Sequence, residues 1–268
     1  MLIKIGYELV FDIPAPVNML MALYVRPELT HVLTQPERVV VEPYTPIQTY
    51  IDNFGNRIGR VLAPAGKFRL AYENFATDSG LPEPRIDGAW LHRVEELPSD
   101  VMEFLLPSRY CEVDQMTQMA WDLFGNTPFS WERVKAVVDW VHANVQFGYQ
   151  YARVTKTARD ACYEKCGVCR DFQHLAITLL RALNIPARYA TGYLGDIGVP
   201  ISPAAMDFSA WMEVYLGNRW YTMDARHNQY RIGRILQARG RDAVDVALTT
   251  TFGPSTLEKF TVRTEEVG

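Results

Sequence analysis

Cysteine is scarce in this chain and unevenly placed. There are four in 268 residues, and three of them fall between positions 162 and 169. A disulfide framework would spread its cysteines along the chain, so thiols held in a reducing compartment fit better. No apolar run approaches the roughly 20 residues of a membrane helix. The opening segment MLIKIGYELVFDIPAPV alternates apolar and polar residues like a strand, without the apolar stretch and small-residue cleavage site of a signal peptide. A basic excess is also missing: 27 Lys and Arg against 31 Asp and Glu leave a net charge of -4, which excludes a global field for nucleic acid. Neither internal repeats nor low-complexity segments are present. The expectation is a cytoplasmic protein with no nucleic-acid and no membrane partner. What remains is an ordinary globular composition, 48% hydrophobic and 22% charged, in a chain long enough to bury a core without covalent staples.

The first part reads as β. Leu2 to Asp12, Met19 to Val25, Arg38 to Val41, Ile47 to Ile51 and Phe68 to Tyr72 are short runs with strand character, separated by turn signals such as Pro14-Ala15-Pro16 and Asn53-Phe54-Gly55-Asn56. Thr77 to Gly88, rich in Pro, Gly and Asp, reads as a linker or long loop. From about residue 112 the apolar period becomes helical. One helix runs from Asp114, a candidate cap, to Phe124, with Gly125 closing it. A second follows Ser130, and a third covers Cys169 to Leu183, with Phe172, Leu175, Ala176, Leu179, Leu180 and Leu183 on one face. Strands follow: Arg188 to Leu194, then Ala210 to Leu216 and Arg219 to Asp224 around Gly217-Asn218, a tight hairpin signal. ALTTTF and KFTVRT in the tail are two more. The fold class is therefore α+β, divided into a β-rich unit with its linker at 1–88 and a helix-then-antiparallel-sheet unit at 89–268.

The cysteine cluster, KCGVCRDFQH at 165–174, admits three chemistries. Structural zinc needs four ligands, usually as two pairs, and no second CxxC exists. A redox CxxC belongs after a strand in a βαβ unit, whereas TARDACYEK before it looks helical or irregular. A nucleophile asks only for one cysteine at a helix mouth, where the dipole and free N–H groups favour a thiolate and can hold an oxyanion. Cys169 meets that description, although burial as a small packed thiol is about as good a reading of it. For Cys162 and Cys166 packing is the better one.

GVCRDFQHL, ALNIPARYATGYL, AWMEVYL and WYTMD, in that order, resemble the core of the bacterial transglutaminase-like superfamily over about residues 112 to 226. The DNFGN turn and Tyr24-Val25-Arg26-Pro27 likewise resemble the β domain that precedes this core in many bacterial members. The resemblance implies helices packed on an antiparallel sheet, with the tail through about residue 265 finishing that fold. It also implies papain-type chemistry on a peptide or protein, without metal or cofactor. Cys169 matches the family's nucleophile and Asp224 its aspartate. The general-base histidine, which directly precedes Ala-Trp in the family, is replaced: Ser209 stands there.

A thiol nucleophile needs a partner that takes its proton and returns it to the leaving group, and serine does not do that near neutral pH. Five histidines remain. His31 and His92 lie in or near the N-terminal part, and His142 sits beside an apolar helical stripe. His174, five residues after Cys169, is roughly 140° around the helix and points into the structure. His227, in DARHN, leaves the strand that ends at Asp224 and can fold back over the Cys169 helix mouth. The expectation is that His227 replaces the base and Asp224 orients it. Ser209 and Trp211 are the expected substrate-binding residues, with Asp207 a solvated loop residue and Asp171 a helix cap or arginine partner. The arginines at 226, 231, 234, 239 and 241 are expected to form surface salt bridges. The other class of function compatible with Ser209 is an inactive member that binds a peptide or partner without turnover.

Overall fold

The computed structural model describes residues 1–202 and 205–268. Its first six strands are β1 (Leu2–Ile13), β2 (Val17–Met21), β3 (Val40–Glu42), β4 (Gln48–Ile51), β5 (Arg57–Ala63) and β6 (Gly66–Thr77). The alternation in β1 sets its face: Ile3, Ile5, Leu9, Phe11 and Ile13 are all buried, at the period of two that a pleated strand imposes. They meet Met19 and Met21 of β2 and Val61 and Ala63 of β5 in one apolar cluster, so two sheets pack face to face.

The second unit begins with α1 (Val113–Phe124) and α2 (Trp131–Asn144). After them come β7 (Gln146–Phe147), α3 (Ala158–Glu164), β8 (Cys166–Gly167) and α4 (Cys169–Ala182), and then β9 (Ala187–Leu194), β10 (Ser209–Leu216), β11 (Arg219–Met223) and β12 (Arg234–Gly240). The last four form an antiparallel sheet in the order β11-β10-β9-β12. Ser130 caps α2 by accepting the Glu132 N–H at 3.2 Å. Asp114 does not cap α1; Glu112 occupies that position without a side-chain bond. Gly217 and Asn218 both have positive φ, +51° and +64°, as a two-residue hairpin between β10 and β11 requires. The apolar face of α4 was legible as a stripe, yet every residue from Asp171 to Ala182 is buried. Helices α1 and α2 and strands β9 and β10 share its cluster, so even its polar residues lie inside the protein.

The tail departs from expectation. β13 (Thr249–Thr251) pairs with β2, and β14 (Thr256–Val267) pairs with β1 along nearly its whole length, from Leu2↔Val267 to Asp12↔Thr256. The sheets are thus β14-β1-β6-β3 and β13-β2-β5-β4. The tail completes the N-terminal sandwich and not the second unit, so a cut at residue 88 does not separate two self-contained pieces. A strand segment carries no sign of its partner, which is why 89–268 read as one domain. The halves also share core: Tyr193, Phe208 and Ile235 sit in the sandwich cluster. The DNFGN turn adds a polar clamp. Asp52 accepts the Phe54 and Asn56 amides at 2.9 and 2.8 Å, and Gly55 takes φ +77°. The turn delivers the buried Asn56 side chain to β12, where it donates to the Arg239 carbonyl at 2.7 Å and accepts from the Arg239 N–H at 2.8 Å.

Candidate active site

Cys169 is the first residue of α4. Asp171, two residues on, folds back so that its carboxylate accepts the Val168 N–H at 2.9 Å, which caps the helix start as expected. That leaves the amides of Cys169 and Arg170 without intrahelical acceptors, beside the sulfur. Gly167 makes the cap possible, because a Cβ there would lie 2.6 Å from Asp171 Cβ and 2.8 Å from its carboxylate. We expect Gly167→Ala to cost about 1–3 kcal/mol of stability by overpacking, measurable by urea unfolding. The three clustered thiols point different ways. Cys162 meets Met119 Sδ at 3.7 Å, Cys166 lies in β8 at 3.9 Å from Lys156 Nζ, and Cys169 faces cavities.

Asp224 follows β11 and is almost fully buried. Its Oδ1 accepts from Gln173 Nε2 at 3.0 Å, the Arg226 N–H at 3.0 Å and the His227 N–H at 3.1 Å. Its Oδ2 accepts from Arg234 Nη2 at 2.9 Å and pairs with His227 Nδ1 at 2.8 Å. One carboxylate thus folds the DARH turn around itself and fixes the imidazole. With Nδ1–H donating to the carboxylate, Nε2 is the free, basic nitrogen. Burial alone would raise the Asp224 carboxyl, but the hydrogen bond from His227 and the Arg234 guanidinium hold it well below the usual carboxylate range. The Arg234 side chain is largely covered and also pairs with Glu83, from the Pro-rich 77–88 segment. These Arg234 pairs are interior and not the surface salt bridges expected, whereas Arg241 pairs with Asp245 near the surface. Gln173 comes from the polar side of α4, and neither it nor Arg234 carries a sequence signal of its role.

Two cavities meet at Cys169. The smaller, about 60 Å³, is lined by Cys169, Asp207, Ser209, Arg226, His227 and Tyr149 among others. The larger, about 700 Å³, shares Cys169, Asp207, Phe208 and Ser209 and runs toward residues 243–250. Nucleophile and proposed base therefore share a cavity, though among the described residues no direct hydrogen bond joins Sγ to the imidazole. Burial pushes the Cys169 thiol up to about 11. The Arg226 guanidinium opposes that shift, Asp207 adds to it, and the Ala210 N–H opposes it. Ser209 faces both cavities and is buried; its hydroxyl has no hydrogen-bond partner among the described residues.

Trp211 is corrected. It lines neither cavity and is 2% exposed, packed with Ala190 and Leu236 under the Arg234 guanidinium, 4.8 Å from the ring centroid. The ring is held there by its packing against β9 and β12 beneath Arg234, away from the cavity mouth at the start of β10. Asp207 is no solvated loop residue; it is partly buried in both cavities, and burial raises its carboxyl. The other histidines stand elsewhere. His174 Nε2 accepts the Ala243 N–H at 3.1 Å between the rings of Tyr110 and Tyr189, and His92 Nε2 accepts the Asn218 N–H at 3.1 Å. His142 Nδ1 lies 2.8 Å from the Arg226 carbonyl, and His31 Nδ1 lies 2.9 Å from the Glu28 carbonyl.

A cysteine at a half-buried helix mouth against an antiparallel sheet, with an aspartate and a histidine at the end of a neighbouring strand, is the arrangement of a transglutaminase-like fold. Residues 118–225 match the family model described as the transglutaminase-like superfamily, so the chain carries a transglutaminase-like domain. A solved structure of a candidate cysteine protease from Cytophaga hutchinsonii is similar over 99% of this chain and 90% of its own, at 29% identity and a TM-score of 0.85. The Mycobacterium leprae protein ML0607 is 26% identical over 150 residues, 54% of this chain and 53% of its own, so the match spans about half the length of that curated relative. Among the described residues, no helix is long and apolar enough to cross a membrane.

Proposed function

We propose that the protein is a cysteine-dependent amide hydrolase or acyl transferase acting on a peptide or protein. The observation that carries this is the Asp224–His227 pair, whose imidazole lines a Cys169 cavity although the family's histidine position holds Ser209. Cys169 Sγ attacks the carbonyl carbon, forming a C–S bond, as the free amides at the start of α4 take the oxyanion. His227 Nε2 accepts the thiol proton and returns it to the amine as the C–N bond breaks. Water or a second amine then attacks the thioester, the proton passes back through His227, and the thiol is regenerated. No metal or cofactor enters these steps. Likeness to the candidate cysteine protease from Cytophaga hutchinsonii supports the hydrolytic branch.

A binding-only reading rests on Ser209, on the raised thiol and on the lack of a direct Cys169–His227 bond. Iodoacetamide labelling near neutral pH, with each cysteine mapped by mass spectrometry, separates the two. We expect Cys169 to be modified at least about a hundredfold faster than Cys111, Cys162 and Cys166, in line with the gain that a positioned base provides. Slow labelling of all four at similar rates is the result of a domain that only binds.

A further inference from the structure

β13 is an edge strand, bonded only to β2 in its sheet. Its hydrogen-bonding direction can be read from its ends. The Leu248 carbonyl accepts the Ala22 N–H at 3.1 Å, and the Phe252 N–H donates to the Asn18 carbonyl at 2.9 Å. Antiparallel pairing alternates, so Leu248, Thr250 and Phe252 turn their backbone groups to β2, and Thr249 and Thr251 turn theirs outward. The larger cavity touching Cys169 is lined by Val246 to Leu248, which lead into β13, and by Thr249 and Thr250 of the strand itself. Successive side chains of a strand point to opposite faces, so two adjacent strand residues on one cavity mean that the edge itself fronts it. The same cavity continues to Cys169 and Ser209.

We infer that the open edge of β13 is a substrate-binding site that takes an extended peptide as an added strand, through the backbone groups of Thr249. This deepens the acyl-transfer reading and rests on it. The two cavities assign the direction. His227 lines only the smaller one and must protonate the departing amine, so the leaving group lies there, and the acyl side of the peptide runs along the larger cavity to β13. Val244, Val246, Ala247 and Val154 give that wall an apolar character, so the acyl-side residues recognised are apolar. Main-chain pairing supplies the affinity and the wall the side-chain preference, as in other β-strand additions.

The test uses chloromethyl ketones, whose methylene carbon forms a thioether with Cys169 as chloride leaves. The acetyl-alanyl and acetyl-tetraalanyl ketones are compared. The two added backbone hydrogen bonds to Thr249, each about 0.5–1.5 kcal/mol, predict alkylation at least about fivefold faster for the longer probe. N-methylating the longer probe at the alternate amides should abolish that gain. In Thr249→Pro, which removes only the outward N–H and is tolerated on an edge, the rate ratio of the two probes should collapse toward one. A wild-type ratio near one, or a gain indifferent to N-methylation, overturns the inference; the second needs no variant to fold. Iodoacetamide runs in parallel on wild type. If it singles out Cys169 while peptide length has no effect, the edge site fails and the catalytic reading stands. If it does not single out Cys169, both fall.

Discussion

Replacing His227 with alanine is expected to slow alkylation of Cys169 near neutral pH by about 10²–10⁴-fold, the range of a lost general base. The argument starts from the thiol. Burial pushes it up to about 11, so the thiol form dominates at neutral pH, and reactivity there must come from proton transfer during attack. His227 shares the cavity, and its Nδ1 is committed to Asp224, so Nε2 is the atom that can accept. Wild type should therefore react near neutral pH, well below the thiol's own range. His227→Ala should show a rate that climbs steadily with pH toward the thiol's own range. Measured from pH 5 to 10 with mapped label, identical profiles for the two proteins would remove His227 from the mechanism. His142→Ala is a useful comparison, because that ring meets the Arg226 carbonyl and not the cavity; its profile should keep the wild-type shape.

Much of this site was legible from residue types and spacing. The helix at 169–182 followed from apolar recurrence, and its role followed from one cysteine at its mouth. His227 was reached by elimination among five histidines, and the DARH turn was legible as a strand end running into a loop. Long-range partnership was not legible. The polar face of α4 reads as solvated by pattern alone, yet it is buried and brings Gln173 to Asp224, because the sheet and the other helices enclose that helix from all sides. Trp211 was misread because its place beside the site on β10 does not say that Ala190, Leu236 and the Arg234 guanidinium would enclose its ring. The tail was misassigned because strand patterning does not name the strand that will pair with it.

The 77–88 segment makes the same point about linkers. Its Pro, Gly and Asp content correctly indicated irregular backbone. Composition could not say that Glu83 would accept the Arg231 N–H at 3.1 Å and pair with Arg234, tying the connection between the two units to the carboxylate that holds the proposed base. Trp211 has its place in the same arrangement, behind the Arg234 guanidinium. The candidate site is therefore supported by both units, the N-terminal connection included.

That network yields the largest expected effect on stability. Asp224→Ala should destabilise the protein by about 3–5 kcal/mol, because it leaves the Arg234 side chain, only 7% exposed, with half its compensation and strips the acceptor from four other donors. Asp224→Asn should cost less, since an amide oxygen can still accept from the turn amides. The wild-type pH dependence follows from the direction of the shift. Asp224 is held well below its unfolded value near 4, so its contribution is complete above that value and is lost progressively as pH falls below it, toward the folded value. Glu83 works in the opposite sense: burial raises its carboxyl, so its contribution is complete at low pH and is lost as pH rises through the carboxylate range. The two carboxyls thus act in opposite directions, and the steep loss at low pH is assigned to Asp224. Urea midpoints from pH 2.5 to 7 should fall steeply below about pH 4 in wild type and more gently in Asp224→Asn. Parallel curves for the two proteins would mean that the Asp224 carboxylate is not the charge on which the acid stability of this site depends.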